Sequence, residues 1–518
     1  MVLFKHFRIA IIISTLFFCT NIIFANDNNF NIKGFHLDLR NEVMKISSLK
    51  KLATKLSNGG VNMLVMEWED TFPFDNHLPV RGKYSYSREE VKDFISYCNN
   101  LGIDVVPLQQ TFGHVEYILR YDRYAHMRED SRDYSQVCPL KEESNLLFSE
   151  MIDDMISLST SRYVHIGCDE TRLLGKCPDC SEFVKEYGKS KLYVDYVTKI
   201  CKQVTDKGKI PVLWADIILK YPEYAQDLPK EAIFVDWNYG NKPKNESKIA
   251  QLQKEGYEFW GAPSLRSAPD NLYITDWVKH FENQDLYIPF AKKSSFSGII
   301  MTSWSTSGVY SYIWDHPSYR LTHLEEIRNV YPLAGYNILI ESYLYALKNN
   351  SVNYLDFIRK YAIRQFGFNN NESEVFLSMF VTPAYIIEGN KIKSNSEKTV
   401  SSLLDEIEEM KNSIAKLKPK NNKKEFAHLK LMLDIRYNHI ALKNQEVFFN
   451  DQNVTKQEVV KIFNAVKKIK KEEERIDKEF IKLNKGDYYL SELVHLNNIR
   501  KKEAIELYYK LNQIVINE

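Results

Sequence analysis

Two acidic residues stand side by side at Asp169 and Glu170, directly after the short apolar run Val164-His165-Ile166-Gly167-Cys168. Neighbouring carboxylates repel, so one member of the pair is expected to hold its proton to a raised pH, which suits a general acid. Most Asp-Glu dipeptides are merely solvated; the place of this one, where a strand-like run ends, sets it apart. Other polar and aromatic groups follow apolar runs in the same way: Asp38 with Arg40, Trp68-Glu69-Asp70, Gln109-Gln110, Trp214 with Asp216, Trp237 with Tyr239, then Trp260 and Trp304. Five of the seven tryptophans therefore fall at such ends, more than scattered core packing explains. Rings and carboxylates together suit a sugar, whose C–H faces stack on indoles while its hydroxyls bind carboxylates and arginine.

The elements that must position these groups alternate. Apolar runs at Ile32–Leu39, Val61–Trp68, Ile103–Gln110, Tyr163–Gly167, Ile210–Ala215, Ile233–Trp237, Tyr257–Gly261 and Gly298–Trp304 read as strands. Helical patterns lie between most of them, such as Arg88–Leu101 with Val91, Phe94, Ile95 and Cys98 on one face. That succession predicts an α/β fold, a (β/α)8 TIM-type barrel over residues 26–336, with its chemistry at the C-terminal ends of the strands. From 337 to 518 strand signals stop and lysine and glutamate rise. Leu403, Ile407, Met410, Ile414 and Leu417 recur at helical spacing, and further helices are expected near 425–449, 456–484 and 489–516. An all-α C-terminal domain is expected there, a support or partner surface that contributes no catalytic group.

Lysine plus arginine (69) nearly cancel aspartate plus glutamate (68), so nothing suggests a nucleic-acid partner, which calls for a basic face. Lys5, His6 and Arg8 precede an apolar run from Ile9 to Phe18, and Ala25 ends the stretch before polar residues. This reads as a secretory signal peptide over residues 1–25, hence a secreted or periplasmic protein with no stable membrane insertion after cleavage. The alternative is an uncleaved anchor. Six cysteines remain beyond Ala25, and Cys177-Pro-Asp-Cys180 has half of a zinc-site spacing with no second such pair. A local disulfide or free thiols are expected there, with no metal site and no cofactor.

His165-Ile166-Gly167-Cys168-Asp169-Glu170 resembles the H-x-G-G-D-E motif of the family-20 glycoside hydrolases, with Cys168 in place of the second glycine. His36-Leu37-Asp38-Leu39, Glu67 to Phe74, and Gln110-Thr111-Phe112-Gly113-His114 running on to Ala125 to Glu129 resemble the hexosaminidase D branch of that family. The resemblance covers roughly residues 33–310. It implies that Glu170 is the acid/base and that Asp169 holds the substrate's acetamido group. It implies that His114 lines the site near the acid pair and that Trp214, Trp237 and Trp304 wall the sugar. Arg40, with Asp38 beside it, falls near the arginine that grips ring hydroxyls, in a segment one residue shorter than the commoner pattern. Tyr239 matches the tyrosine that orients the acetamido carbonyl, and Glu69 and Asp70 either contact sugar or buttress their loop. Ser305-Thr306-Ser307 follow Trp304 where the commoner pattern carries an acid.

The function implied is an exo-acting, retaining β-N-acetylhexosaminidase, which removes terminal β-linked N-acetylglucosamine or N-acetylgalactosamine from glycans. Its nucleophile is the substrate's own acetamido oxygen, because adjacent acids at one strand end cannot easily straddle a glycosidic bond. The alternatives are a barrel glycosidase acting on sugars without an acetamido group, and a glycan-binding protein without catalysis.

Overall fold

The computed structural model describes residues 30–305, 310–312, 324–326, 329–349, 352–389, 391–393 and 397–516. Eight parallel strands carry the alternating region: β1 (Ile32–Asp38), β2 (Met63–Glu67), β3 (Asp104–Leu108), β4 (Tyr163–His165), β5 (Ile210–Trp214), β6 (Ile233–Trp237), β7 (Glu258–Ala262) and β8 (Gly298–Ser303). They pair in sequence order, and β8 returns to β1 from Ile32↔Gly298 to Phe35↔Met301, which closes a barrel. The side-chain period of two sorts each strand. Met63, Val65, Val106, Val212, Val235 and Ile300 form one cluster inside the barrel. Their neighbours Leu64, Met66, Val105, Leu213, Phe234 and Ile299 join the core shared with the outer helices.

Those helices are α1 (Ile46–Gly59), α2 (Arg88–Asn100), α3 (Glu142–Leu158), α4 (Pro178–Thr205), α5 (Glu246–Lys254) and α6 (Trp277–Lys293); two short helical turns, Asp216–Lys220 and Ala225–Asp227, follow β5. The start of α2 is set by a capping box, in which Ser87 Oγ accepts the Glu90 N–H at 3.1 Å and the Glu90 carboxylate accepts the Ser87 N–H at 2.8 Å. Its buried face is the expected stripe of Val91, Phe94, Ile95 and Cys98.

Two strand-end tryptophans do other work. Trp68 faces outward, edge-on to Tyr86 and to Phe94 of α2. Trp260 plugs the barrel interior against Tyr163, ring centroids 5.2 Å apart. Position 298 must be glycine for this, since a Cβ there would stand 2.7 Å from the Trp260 ring. Both rings pack the core, so the wall of any strand-end pocket comes from the remaining three.

The expected barrel boundary at residue 336 also shifts. Helix α7 (Asn337–Lys348) is the outer helix that follows β8. Its Tyr343 hydroxyl donates to the Gly34 carbonyl of β1 at 2.6 Å, and Leu344 lies so close to Gly59 of α1 that a Cβ there would sit 2.5 Å from it. The sequence reading placed this segment beyond the barrel because helix periodicity does not say against what a helix packs.

Six further helices follow: α8 (Tyr354–Phe366), α9 (Asn370–Val381), α10 (Val400–Lys416), α11 (Lys423–Phe449), α12 (Lys456–Asn484) and α13 (Leu490–Ile516). The expected stripe of α10 buries Leu403, Ile407 and Ile414. This helical region rests on loops at the strand-end face. The Tyr488 hydroxyl and the Arg266 guanidinium both bind Glu42, and Tyr84 stacks on Tyr489 at 4.5 Å. Among the described residues no helix is long and apolar enough to cross a membrane. The N-terminal segment read as a signal peptide lies outside the described residues.

Candidate active site

Beyond β4 the backbone turns sharply through left-handed conformations: Gly167 (φ 68°), Cys168 (φ 71°) and Glu170 (φ 46°). Where the family motif has glycine, Cys168 takes up that conformation with a side chain, at a strain of about 1 kcal/mol or more. It is held by the Tyr193 hydroxyl of α4, which donates to the Cys168 carbonyl at 3.0 Å. Glu69 (φ 45°) and His114 (φ 56°) are left-handed as well. Such outliers persist where surrounding contacts over-determine them, and these flank one pocket.

His114 joins the acid pair. Its Nε2 lies 3.3 Å from Asp169 Oδ2 and 3.3 Å from Glu170 Oε2. Burial pushes the imidazole down, but the Asp169 charge and hydrogen bonds to both carboxylates outweigh it and hold His114 well above its ordinary value. Glu170 shows the reverse. Burial pushes it up, yet His114 and the Arg172 guanidinium, 2.8 Å from Oε1, bring it down to about 2. The expected repulsion between the acids is therefore overridden by cations, and the raised carboxyl is a different one. Asp216, buried and beside the Asp169 charge, rises to about 7 while its Oδ2 accepts the Glu170 N–H at 3.1 Å. Asp169 is 6% exposed, and its Oδ1 is buried without a hydrogen-bond partner.

Across from the acids stand the rings. Trp214 and Trp304 lie 5.9 Å apart, and the Trp304 indole donates to the Tyr239 hydroxyl at 2.8 Å. Trp237 packs against Tyr239 at 5.2 Å. His36 and His165 form the floor, 4.5 Å from Trp304 and 4.4 Å from Trp214 respectively. Asp38 accepts two hydrogen bonds from the Arg40 guanidinium, at 3.0 and 2.9 Å, and the Ser305 N–H at 2.9 Å. Burial pushes Asp38 up, but Arg40 brings it to about 2, so the pair stays charged. Arg40 also lies 5.4 Å over the Trp304 ring and 3.9 Å from Glu69 Oε1.

Residues 32–294 match the model of the glycosyl hydrolase family 20 catalytic domain. The chain belongs to glycosyl hydrolase family 20. Curated relatives include Hexosaminidase D of Bos taurus, 28% identical over 295 residues that make up 54% of this chain and 85% of that one. Hexosaminidase D of Homo sapiens is 29% identical over 301 residues, 55% of this chain and 62% of that one. Among solved structures, a beta-N-acetylhexosaminidase from Bacteroides fragilis NCTC 9343 is 21% identical, with a TM-score of 0.44 over 53% of this chain and 61% of that one.

In this family-20 chain Asp38, Arg40, Glu69, His114, Asp169, Glu170, Trp214, Trp237, Tyr239 and Trp304 are joined by a chain of contacts into one cluster. Asp70 turns away from it. Its carboxylate covers Gly82, where a Cβ would stand 2.4 Å from Asp70 Oδ2, and Arg120 is the charge that acts on it. Of the two readings left open, Asp70 follows the buttressing one, whereas Glu69 sits on Arg40.

Three further residues act on the acid cluster in ways the sequence did not signal. Arg172 binds Glu170 from two residues on, in a segment outside any strand or helix, where spacing does not say which side chains meet. Glu116, raised to about 7 by burial against the pull of His114, lies in the long β3 loop, where sequence offers no register. Asp216 stood in the strand-end census, but nothing in its spacing tied it to the Glu170 amide. The cysteine pair gained company too. Six free thiols are present among the described residues, and Cys138, from the β3 loop, lies beside Cys177 and Cys180.

Proposed function

We propose that this family-20 hydrolase is an exo-acting, retaining β-N-acetylhexosaminidase that uses the substrate's acetamido oxygen as nucleophile. The observation that carries the reading is Asp169 Oδ1, a buried carboxylate oxygen without a donor, next to a wall of tryptophans. An acetamido N–H would satisfy it while the methyl packs on indole. The negative charge of Asp169 would then stabilise the oxazolinium ion that forms as the carbonyl oxygen attacks C1. Both acids lean on the same imidazole nitrogen, which favours their acting from one side of the pocket, not across a sugar bond. Holding the internal nucleophile in place is a proximity effect worth several kcal/mol.

Glu170 must carry a proton to protect the leaving oxygen from departing as an alkoxide. At rest that proton is favoured on His114, 3.3 Å away. Neutral His114 with protonated Glu170 contains the same number of protons as the resting ion pair, so substrate needs only to shift one proton between them. Glu170 then gives it to the leaving group and later takes one from the water that opens the oxazolinium ring, with retention. Arg40, fixed by Asp38, is placed to bind ring hydroxyls, and Glu69 beside it to accept from one.

Hydrolysis of aryl β-N-acetylglucosaminide, aryl β-N-acetylgalactosaminide and aryl β-glucoside by the full chain tests this. Cleavage of at least one acetamido sugar and negligible action on the glucoside is expected. Preferred action on the glucoside would point to a different barrel glycosidase, and tight binding without turnover to a lectin-like role. Secretion after cleavage at Ala25 is part of the same proposal, resting on the residue pattern before it. N-terminal sequencing of exported protein should begin at Asn26.

A further inference from the structure

We propose that Glu129, Cys138, Cys177 and Cys180 bind one structural zinc ion that ties the loop carrying His114 to the loop carrying Asp169 and Glu170. The ligand atoms of these four residues all lie within 4.8 Å of one another. Cys138 Sγ stands 3.5 Å from Cys180 Sγ and 3.7 Å from Cys177 Sγ. Sulfurs at two corners of a tetrahedron with zinc–sulfur bonds of about 2.3 Å are about 3.8 Å apart, whereas a disulfide brings them to about 2.05 Å. The spacing found is that of ligands around a shared ion.

Glu129 supplies an independent pointer. It is 2% exposed, and Oε1 accepts the Lys176 N–H at 2.6 Å and the Cys177 N–H at 3.0 Å. Its Oε2 is buried and has no partner. A carboxylate fixed through one oxygen, with the other unsatisfied beside three sulfurs, is the arrangement of a ligand oriented by its surroundings. The ammonium of Lys176 is turned to Asp130, 3.8 Å away. A divalent cation would supply the missing counter-charge.

Cys177 caps the N-terminus of α4, and the Cys180 N–H donates to its sulfur at 3.3 Å. Three of the four ligands are buried, which fits a closed structural site. Thiolates select zinc over magnesium or calcium, which take oxygen ligands.

The ion would join separate parts of the site. Glu129 lies within, and Cys138 directly follows, a hairpin of Arg128–Asp130 and Asp133–Val137, whose Gln136 bridges to Gly113, next to His114. Gln136 also accepts the Leu173 N–H at 2.9 Å, on the way from Glu170 to Cys177. Zinc would close that connection at its outer end.

The test is the metal content of the full chain, expressed with zinc supplementation and purified without chelators. Near-stoichiometric zinc is expected, falling to background in the Cys138→Ser, Cys180→Ser double variant. Cobalt(II) substituted into the wild type should give thiolate-to-metal charge-transfer bands and a tetrahedral d–d spectrum. Since the double variant is at risk of misfolding, titrating wild-type thiols with an organomercurial should release the zinc as cysteines are consumed. A metal-free wild type in which Cys138, Cys177 and Cys180 all react as free thiols would overturn the proposal. So would a disulfide among Cys138, Cys177 and Cys180 in zinc-replete protein, or zinc retained undiminished by a folded double variant.

Discussion

The Arg172 guanidinium donates to the Glu170 carboxylate at 2.8 Å, although the arginine side chain is 65% exposed. It helps keep Glu170 ionised, so Arg172→Ala should raise the pKa of the acid. The acid works when protonated, and its activity fades as pH rises through the pKa of the proton it shares with His114. The alkaline limb of kcat/KM should therefore move to higher pH in the variant. Solvent screening of so exposed a charge limits the shift to a few tenths of a pH unit. A limb that moves to lower pH would contradict the role given to Arg172.

Glu170→Gln should lower turnover of a β-linked N-acetylhexosamine disaccharide by roughly 10²–10⁴-fold, the usual worth of general acid catalysis. Aryl glycosides whose leaving group departs without a proton should lose less. Wild-type turnover of the disaccharide by this variant would remove Glu170 from the mechanism.

Asp169→Asn keeps shape and removes the charge that the oxazolinium ion needs. Turnover should fall strongly and substrate binding less, because that charge matters most near the transition state. A thiazoline mimic of the intermediate should bind the variant far less well than the wild type. A glycosyl adduct on any carboxylate after trapping with a 2-fluoro sugar would demand a protein nucleophile instead.

Asp70 is held up to about 7 by burial, against an ordinary 3.8. The folded protein therefore keeps a proton that the unfolded chain releases, and stability falls as pH rises from about 3.8 to about 7. Asp70→Asn should remove that slope and raise stability above pH 7, by an amount on the order of 1 kcal/mol or more, read as a higher melting temperature. It should leave kcat/KM intact, since the side chain packs on Gly82 and not on Arg40. A large catalytic loss in the folded variant would return Asp70 to the pocket.

Arg266 is fully buried, and Glu42 is its carboxylate partner, shared with the Tyr488 hydroxyl. Glu42→Gln would strand the arginine charge, at about 3–5 kcal/mol in urea unfolding. Pairing it with Arg266→Met should recover part of that loss. An unchanged unfolding midpoint in Glu42→Gln would show that the cluster contributes little to docking the helices.

The strands were legible because each is an apolar run of the right length between helical patterns, and their ends fell within two residues of expectation. The acid pair and three pocket tryptophans were legible because strand ends are where a barrel exposes side chains. Trp68 and Trp260 misled for the same reason: a one-residue difference in register decides whether a ring faces pocket, core or helix, and spacing alone does not settle it. Arg172, Glu116, Glu129 and Cys138 lie in the long connections beyond the third and fourth strands, outside the regular alternation of strand and outer helix. Their meetings depend on backbone turns, such as the left-handed His114 and Cys168, that leave no period in the sequence. The helices Val400–Lys416, Lys423–Phe449, Lys456–Asn484 and Leu490–Ile516 were plain in the sequence, whereas their docking through Glu42 depends on contacts far apart along the chain.

The pairing of Ile32 with Gly298 carries a consequence for synthesis. The first strand leaves the ribosome long before its last neighbour is made, a delay on the order of tens of seconds at ordinary translation speed. Throughout that interval one edge of β1 has no strand beside it, and the growing sheet is an open arc with an aggregation-prone border. Closure comes only when β8 arrives and α7 seals it, with Tyr343 reaching Gly34. The nascent chain should thus depend on chaperones most in its second half, and premature termination within β8 should yield insoluble fragments, not a weakened enzyme.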